Sequence, residues 1–311
     1  MSGLRDAVGE YLAIRRALGF KLVAAGHLLP DFAAYAERSG AATISTEGAL
    51  AWARLPADVQ PVWWSIRLTV VRGFARYLHA LDERHEVPPT DLLPARWQRP
   101  TPYLYSDADL GSLLRAAGAL PRPLRAATYA TLIALLAVSG MRVGEAIGLD
   151  RDDLDWSAGL LVVRGAKFGK SREIVLHPSA LDALHAYDHG RRQLWPRPRT
   201  PAFFVSVTGT RLIYSEVQRT FGVLVRQAGL APRSGRCRPR LHDLRHTFAV
   251  NTLLGWYRAG LDVEARMHSL STYLGHIDPA HTYWYLSAAP ELLAIAGERL
   301  ERAMAGNEPL R

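Results

Sequence analysis

The chain has 311 residues, 49% hydrophobic and 22% charged, which is ordinary for folded domains and long enough for two separate cores. Its one cysteine, Cys237, excludes an internal disulfide and a cysteine-based zinc site. No apolar run is long enough to span a bilayer, and the N-terminus has no signal-peptide core, so we expect a cytoplasmic protein without a membrane partner. The net charge of +9 favours a nucleic-acid partner, although a GC-rich coding sequence would also enrich arginine.

Helical periodicity dominates the chain up to residue 81. The predicted helices cover residues 4–19, 22–40, 47–55 and 62–81. We expect Thr46 to cap the third of these helices. The fourth carries an arginine row, Arg67, Arg72 and Arg76, which either contacts phosphates or packs its stems along apolar surface. The row leaves both interpretations open, and the segment predicts a helical domain.

A proline-rich segment separates this helical region from the rest of the chain. Five prolines lie between residues 86 and 105, where they break helices and favour extended chain. We predict a linker over about residues 83–105 and a domain boundary near residue 96, which gives domains 1–95 and 96–311. An extended basic linker would let two domains close around a rod-shaped ligand such as duplex DNA.

The second domain is predicted to combine helices with a small antiparallel sheet. A helix begins at Ser106, which has capping-box spacing to Asp109, and a long apolar helix ends at Gly140. Two strands follow, over residues 159–165 and 172–176, joined by a tight turn. A helix is predicted over residues 181–195, and a short strand with a turn over residues 203–213. Another helix has capping-box spacing between Ser215 and Gln218, and the remainder reads as helical. The fold class is therefore mainly α with a small antiparallel β-sheet, in two domains.

Two polar stretches precede the middle of this domain. Arg142 and Glu145 are three residues apart just after a helix-ending glycine, so the carboxylate can hold the guanidinium. A surface ion pair is the ordinary alternative. Lys167 and Lys170 lie in the turn between the two strands, where an ammonium can approach a phosphate or simply remain solvated.

Two further stretches carry histidines. In HDLRH, His242 and Arg245 are three apart on a helix flanked by apolar residues, an arrangement suited to binding a phosphate and moving a proton. In the second stretch, His276 ends YLGH, and Tyr285 follows nine residues later. Tyr283 and Tyr285 are two apart, roughly 200° around a helix, so at most one of them points into a site.

In this order and at these separations, the stretches resemble the tyrosine recombinase (phage integrase) family, which includes the Xer and Cre-like site-specific DNA recombinases. HDLRHTFA and YLGH are the most specific strings. The resemblance covers the whole chain, with an N-terminal helical core-binding (SAM-like) domain and a catalytic domain over residues 103–311. The matching residues are Arg142, Lys167, His242, Arg245, His276 and Tyr285.

The resemblance implies metal-free phosphoryl transfer without a cofactor. Tyr285 would attack a scissile phosphate and form a 3′-phosphotyrosyl link, while Tyr283 remains an alternative nucleophile. The other expected roles are phosphate clamping by Arg142 and Arg245, leaving-group protonation by Lys167 rather than Lys170, proton acceptance or phosphate binding by His242, a phosphate hydrogen bond from His276, and orientation of the array by Glu145. His281, four before Tyr285, is interpreted as packing or contacting DNA.

The resemblance also implies the partners. These would be double-stranded DNA recombination sites bound by a homotetramer, or by a hetero-assembly with related recombinases. The amphipathic segment 290–304 would dock on a neighbouring protomer or on its own domain. The product would be integration, excision or transposition of a DNA element, and the TYWYL string suggests a transposon or genomic island. The alternatives are a catalytically silent DNA-binding protein, a type IB topoisomerase-like enzyme and a structural helical protein.

Overall fold

The computed structural model describes residues 3–93, 100–164, 171–195, 199–276 and 278–287, together with Leu292, Ala294, Gly297 and Glu301. The chain divides into two compact units, residues 1–99 and 100–311. The division falls in the proline-rich segment, and residues 94–99 lie outside the described part. Among the helices of the described residues, none has both the length and the apolar composition needed to cross a bilayer.

The N-terminal unit is a group of four helices, as the periodicity predicts. They are α1 (Leu4–Ala17), α2 (Val23–Arg38), α3 (Thr46–Arg54) and α4 (Pro61–His79). Their apolar faces enclose a core that includes the fully buried Trp52 and Phe74. The predicted cap of α3 is wrong by one residue, because the hydroxyl of Ser45 accepts from the Gly48 amide and Thr46 is already helical.

The arginine row of α4 is mostly structural. The buried Arg67 lies over the Trp52 ring at 3.7 Å and donates to the Trp52 carbonyl at 2.9 Å. Arg72 is also buried and donates to the carbonyls of Pro88 and Pro89, both at 2.7 Å. The guanidiniums of Arg67 and Arg72 thus donate to carbonyl groups of the chain itself, whereas Arg76 is exposed. The packing interpretation therefore holds for Arg67 and Arg72.

The second unit is mainly helical. Its helices are α5 (Asp107–Gly118), α6 (Pro123–Ser139), α7 (Val143–Gly148), α8 (Pro178–Leu194), α9 (Tyr214–Gln227), α10 (Asp243–Arg258), α11 (Val263–Leu274) and α12 (Ala280–Tyr283). A three-stranded antiparallel sheet contains β1 (Leu154–Asp155), β2 (Leu160–Val163) and β3 (Arg172–Val175) in that order. Leu161 pairs with Ile174 and Val163 pairs with Arg172. The predicted fold class is confirmed, with β1 as a strand that the sequence analysis missed.

Helix caps give two different outcomes. The capping box of Ser106 and Asp109 is present in both directions, at 3.1 and 3.0 Å. The predicted box of Ser215 and Gln218 is wrong, because α9 already begins at Tyr214. The Gln218 amide instead donates to the Tyr214 hydroxyl at 2.7 Å. The predicted strand over 203–213 is reduced to a single bridge between residues 205 and 211.

Helix α6 organises the second unit because it packs against α5, α8 and α10. One hydrophobic cluster surrounds it and includes Leu132 and Phe203, while a second lies on α10 and α11 and includes Leu253 and Tyr285. The end of α6, the starts of α7 and α10 and the end of α11 carry the polar residues singled out in the sequence. The backbone there turns at Gly140, after α6.

Candidate active site

Arg142 and Glu145 form the predicted pair at the start of α7. Arg142 is the N-cap residue rather than a helical one, and its backbone amide donates to Glu145 Oε2 at 2.9 Å. Its guanidinium donates to Glu145 Oε1 at 2.9 Å and to the carbonyl of Gly275 at 3.2 Å. The Arg142 side chain is 32% exposed, against 9% for Glu145. The carboxylate thus holds the guanidinium from the protein side and leaves part of it accessible.

Arg172 completes this ion pair, and the sequence analysis missed it. From β3 it donates to both oxygens of Glu145, at 3.1 and 2.7 Å, and to the carbonyl of Tyr273 at 2.8 Å. Burial raises the pKa of Glu145, but the hydrogen bonds and charges of Arg172 and Arg142 outweigh it and lower that pKa to about 2. Glu145 is therefore a carboxylate shared by two guanidiniums. The only signal in the sequence was an arginine at the start of a predicted strand.

Arg245 lies in the first turn of α10 and is 2% exposed. It donates to the carbonyls of Gly140 at 2.8 Å and Leu274 at 2.7 Å, so it joins the ends of α6 and α11. Burial lowers its pKa to about 10, opposed by the nearby Tyr285 and reinforced by Arg142. At neutral pH it remains a cation in a largely dry environment, where charge interactions are strong.

The approach of Gly140 to α10 requires a glycine. Its φ is +58°, and a Cβ atom there would lie 2.3 Å from the Phe248 ring. Other residues rarely adopt this backbone conformation, and real Cβ atoms do not approach a ring so closely. The glycine that ends α6 therefore also brings its own carbonyl to Arg245.

His276 follows the end of α11 and contacts Arg245 directly. The Arg245 guanidinium can only donate, so the 2.9 Å contact makes Nε2 of His276 the acceptor. The ring proton then lies on Nδ1, which is 2.7 Å from the Thr282 hydroxyl and donates to it. Burial lowers the pKa of His276 to about 3, helped by Arg245 and Arg142. His276 is therefore neutral at physiological pH, and the buried Thr282 is a partner that the sequence analysis did not single out.

His242 is the N-cap residue of α10 and is exposed. Its ring lies 4.8 Å from that of His246, nearly perpendicular to it. The two side chains begin the same helix, as predicted, but they differ in exposure: the imidazole of His242 faces solvent, whereas the guanidinium of Arg245 is buried.

The two neighbouring tyrosines have opposite environments. Tyr285 is 2% exposed and Tyr283 is 45% exposed. The Tyr285 ring lies 6.1 Å from His276, stacked, and 5.4 Å from His246, edge to face. Of the two, Tyr285 is the one beside Arg245 and His276. His281 is exposed, with its ring 5.9 Å from that of His276.

Lys167 and Lys170 belong to residues 165–170, which lie outside the described part of the chain. The predicted roles of these lysines therefore stay predictions. The strands that flank them are β2 and β3, and the second of these carries Arg172. Within the described residues, no group of three or more His, Cys, Asp or Glu side chains has the arrangement of a metal site.

Near the start of α10 the described residues thus bring together the guanidiniums of three arginines, the imidazoles of His242 and His276, the phenol of Tyr285 and one carboxylate, Glu145, that is already paired; the arginines are Arg142, Arg172 and Arg245. Such a set of donors suits an anion that carries several oxygens, such as a phosphodiester. The accessible members are Arg142 and His242, while Arg245 and Tyr285 lie beneath the surface. An anion would therefore meet Arg142 and His242 first.

Comparison with known proteins gives the class. The sequence profile of the phage integrase family matches residues 107–291. A Sinorhizobium fredii protein named "Putative integrase/recombinase y4rB" is 47% identical over 97% of this chain and 98% of its own. Tyrosine recombinase XerC of Azotobacter vinelandii is 34% identical over 70% of this chain and 67% of its own. The structure of the Tn1549 transposon integrase in complex with transposon right end DNA has the same fold, with a TM-score of 0.66 at 16% identity over 97% of this chain and 99% of its own.

The chain therefore belongs to the phage integrase family. Within that family it is a tyrosine-type site-specific recombinase.

Proposed function

We propose that the chain cleaves and rejoins two DNA duplexes through a 3′-phosphotyrosyl intermediate, and that Tyr285 is the nucleophile. The observation that carries this proposal is the position of Tyr285. It is the tyrosine that packs beside both Arg245 and His276, while Tyr283 is turned towards solvent. A phosphate held by the Arg245 cation would therefore lie beside Tyr285.

The first step is attack of the Tyr285 oxygen on the scissile phosphorus. The bond between phosphorus and the 5′ oxygen breaks, and the phosphate stays attached to the 3′ oxygen of the other DNA segment and to the tyrosine. His242 accepts the phenolic proton, and Lys167 gives a proton to the leaving 5′ oxygen. A tyrosine hydroxyl is protonated at neutral pH, so it needs such a base or nearby positive charge to react. The phosphodiester energy is kept in the new bond, and no cofactor is required.

The second step reverses the first with a different strand. A 5′ hydroxyl from the partner duplex attacks the phosphotyrosyl bond, joins the DNA and releases Tyr285. In both steps Arg142 and Arg245 hold the non-bridging oxygens, where charge grows in the transition state. Loss of one such donor typically raises the barrier by about 3–4 kcal/mol.

The contacts of Glu145 and His276 support the remaining roles in this proposal. Glu145 fixes the Arg142 guanidinium through two hydrogen bonds. His276 is neutral and accepts from Arg245 at Nε2, so it orients that guanidinium before DNA binds. To donate to a phosphate oxygen, as the resemblance implies, Nε2 of His276 would have to carry the ring proton that Nδ1 now gives to Thr282. Because Arg245 and Tyr285 are each 2% exposed, a phosphate can reach them only after side chains that cover them have moved.

The proposed partner is double-stranded DNA carrying recombination sites, on which four copies assemble in the cytoplasm to integrate, excise or transpose an element. The +9 charge suits a phosphate-rich partner. The bounds 1–95 for a core-binding domain and 96–311 for a catalytic domain belong to the same proposal. Segment 290–304 would link neighbouring copies. It lies largely outside the described residues, although Leu292 is buried in the cluster that contains Tyr285.

The test is a strand-exchange assay. Duplexes that bind the Tyr285→Phe protein would be selected from random-sequence DNA and from fragments of the host genome. Two labelled duplexes of different length, each with the selected sequence, would then be incubated with the wild-type protein. The proposal predicts recombinant lengths and a protein-linked strand. Relaxation of supercoiled DNA without recombinants would indicate a topoisomerase-like enzyme, and binding without any covalent product would indicate a silent DNA-binding protein.

A further inference from the structure

His246 occupies the centre of a group of rings at the start of α10. Its own ring is buried and lies 4.8 Å from His242, 5.2 Å from Trp284 and 5.4 Å from Tyr285. The contacts with His242 and Tyr285 are both edge to face, the geometry that ring quadrupoles favour. We refer to His242, His246, Trp284 and Tyr285 as the ring cluster. One side chain thus contacts both the proposed nucleophile and its proposed proton acceptor.

The other side of His246 faces an anchored carboxylate. Nε2 of His246 lies 4.0 Å from Asp243 Oδ1, an electrostatic contact rather than a hydrogen bond. Asp243 is fully buried, and the Arg240 guanidinium holds both of its oxygens, at 2.8 and 3.0 Å. Tyr105 in turn donates its hydroxyl to the Arg240 carbonyl at 3.0 Å. The carboxylate is therefore rigid, and it faces the nitrogen edge of the imidazole.

We propose that His246 is a positioning residue, whose ring packs against both Tyr285 and His242 and so fixes their orientations relative to each other. This role rests on the proposed function of Tyr285 and His242. Proton transfer requires the phenol and the imidazole to meet within hydrogen-bond reach in the reacting complex. A shared neighbour that packs against both rings restricts both, and a displacement of about 1 Å at a reacting group can slow a step by about 100-fold. His246 itself touches neither phosphate nor leaving group in this role.

The test separates positioning from proton chemistry. Single-turnover cleavage would be measured on a duplex selected by binding to the Tyr285→Phe protein, synthesised with a normal scissile phosphate or with sulfur at the bridging 5′ position. Sulfur leaves without protonation, so it relieves defects on the leaving-group side only. The variants are His246→Ala, which removes the ring, and His246→Phe, which restores a ring without nitrogen. His185→Ala is the control, because His185 is an exposed residue of α8 whose ring packs against Trp156, with the ring centroids 3.8 Å apart.

The proposal predicts that His246→Ala cleaves about 10- to 100-fold more slowly on both substrates. DNA affinity and the His185→Ala rate should match wild type, and His246→Phe should recover most of the lost rate. If His246→Ala unfolds, His246→Gln, which has no ring, carries the same prediction.

Three results would overturn the positioning role and leave the proposed function intact. The first is a wild-type cleavage rate in the ringless variant, and the second is recovery of that variant's rate on the substrate with bridging sulfur. The third is a His246→Phe protein that cleaves as slowly as His246→Ala. Absence of any covalent product from the wild-type protein would overturn the proposed function, and the positioning role with it.

Discussion

Replacing Arg172 tests how the ends of several elements are joined into one site. Arg172 is 10% exposed and donates twice to Glu145 and once to the Tyr273 carbonyl. In Arg172→Ala, the buried carboxylate keeps only Arg142 as its ionic partner, and the carbonyl loses its donor. In Arg172→Lys, a single ammonium replaces the fork and cannot reach both Glu145 oxygens and Tyr273 together.

The magnitudes follow from this geometry. Removing one partner of a buried, hydrogen-bonded ion pair costs about 3–5 kcal/mol, so Arg172→Ala should lower the free energy of unfolding by about that amount. Arg172→Lys keeps the charge and should lose about 1.5–3 kcal/mol, the value of a hydrogen bond to a charged group. Because Glu145 also holds Arg142, both variants should cleave DNA more slowly than their folded fraction explains.

Urea unfolding of the wild type, Arg172→Ala, Glu145→Gln and the double variant measures the coupling. We expect an interaction free energy above about 1 kcal/mol between the two positions, because their side chains touch directly. Arg164→Ala is the matched control, since its ion pair with Asp153 is formed by a side chain that is 65% exposed. An Arg172→Ala protein within about 0.5 kcal/mol of wild type, or a coupling near zero, would refute the reasoning.

Three further predictions concern stability. Gly140→Ala should lower the free energy of unfolding by about 2–4 kcal/mol, because it adds strain in the left-handed backbone conformation and a clash with Phe248. The thermal unfolding midpoint should drop, and an unchanged midpoint would contradict the close approach of Gly140 to Phe248. Folding lowers the pKa of His276 from about 6.5 to about 3. The neutral ring therefore contributes fully to the free energy of unfolding above pH 6.5, and that contribution is lost as the pH falls towards 3. Urea midpoints from pH 7 to 4 should fall less steeply in His276→Asn, and an identical slope would contradict the assignment of a buried neutral ring. Arg67→Ala should lose about 2–4 kcal/mol with no change in the salt dependence of DNA binding, whereas the exposed Arg76→Ala should keep its stability within about 0.5 kcal/mol. A reduced salt slope for Arg67→Ala would instead mean that it contacts phosphate.

Local spacing predicted the parts of the site that lie within one turn of chain. Side chains two positions apart on a helix point in directions that differ by roughly 200°. Accordingly, Tyr283 faces solvent and Tyr285 faces the interior. The separation of three between Arg142 and Glu145 also predicted their ion pair. These inferences need only the geometry of a single helix or turn.

Local spacing could not predict contacts between segments that are far apart in the sequence. Arg172 lies on a strand and reaches Glu145 on another element, and the sequence around it reads only as half of a hairpin. Thr282 looked like any residue between two aromatic ones until the fold brought its hydroxyl to His276. Arg67 and Arg76 read alike on one helix, yet only the first meets Trp52. Tertiary packing decided each of these cases.

The most direct measurement is the identity of the tyrosine joined to DNA. Wild-type, Tyr285→Phe and Tyr283→Phe proteins would each be incubated with a selected duplex that is nicked near the scissile phosphate, so that the released fragment diffuses away and the covalent complex accumulates. Protease digestion and mass spectrometry then identify the peptide that carries the nucleotide. We predict an adduct on Tyr285 in the wild type and in Tyr283→Phe, and none in Tyr285→Phe. An adduct that survives in Tyr285→Phe and disappears in Tyr283→Phe would contradict the account.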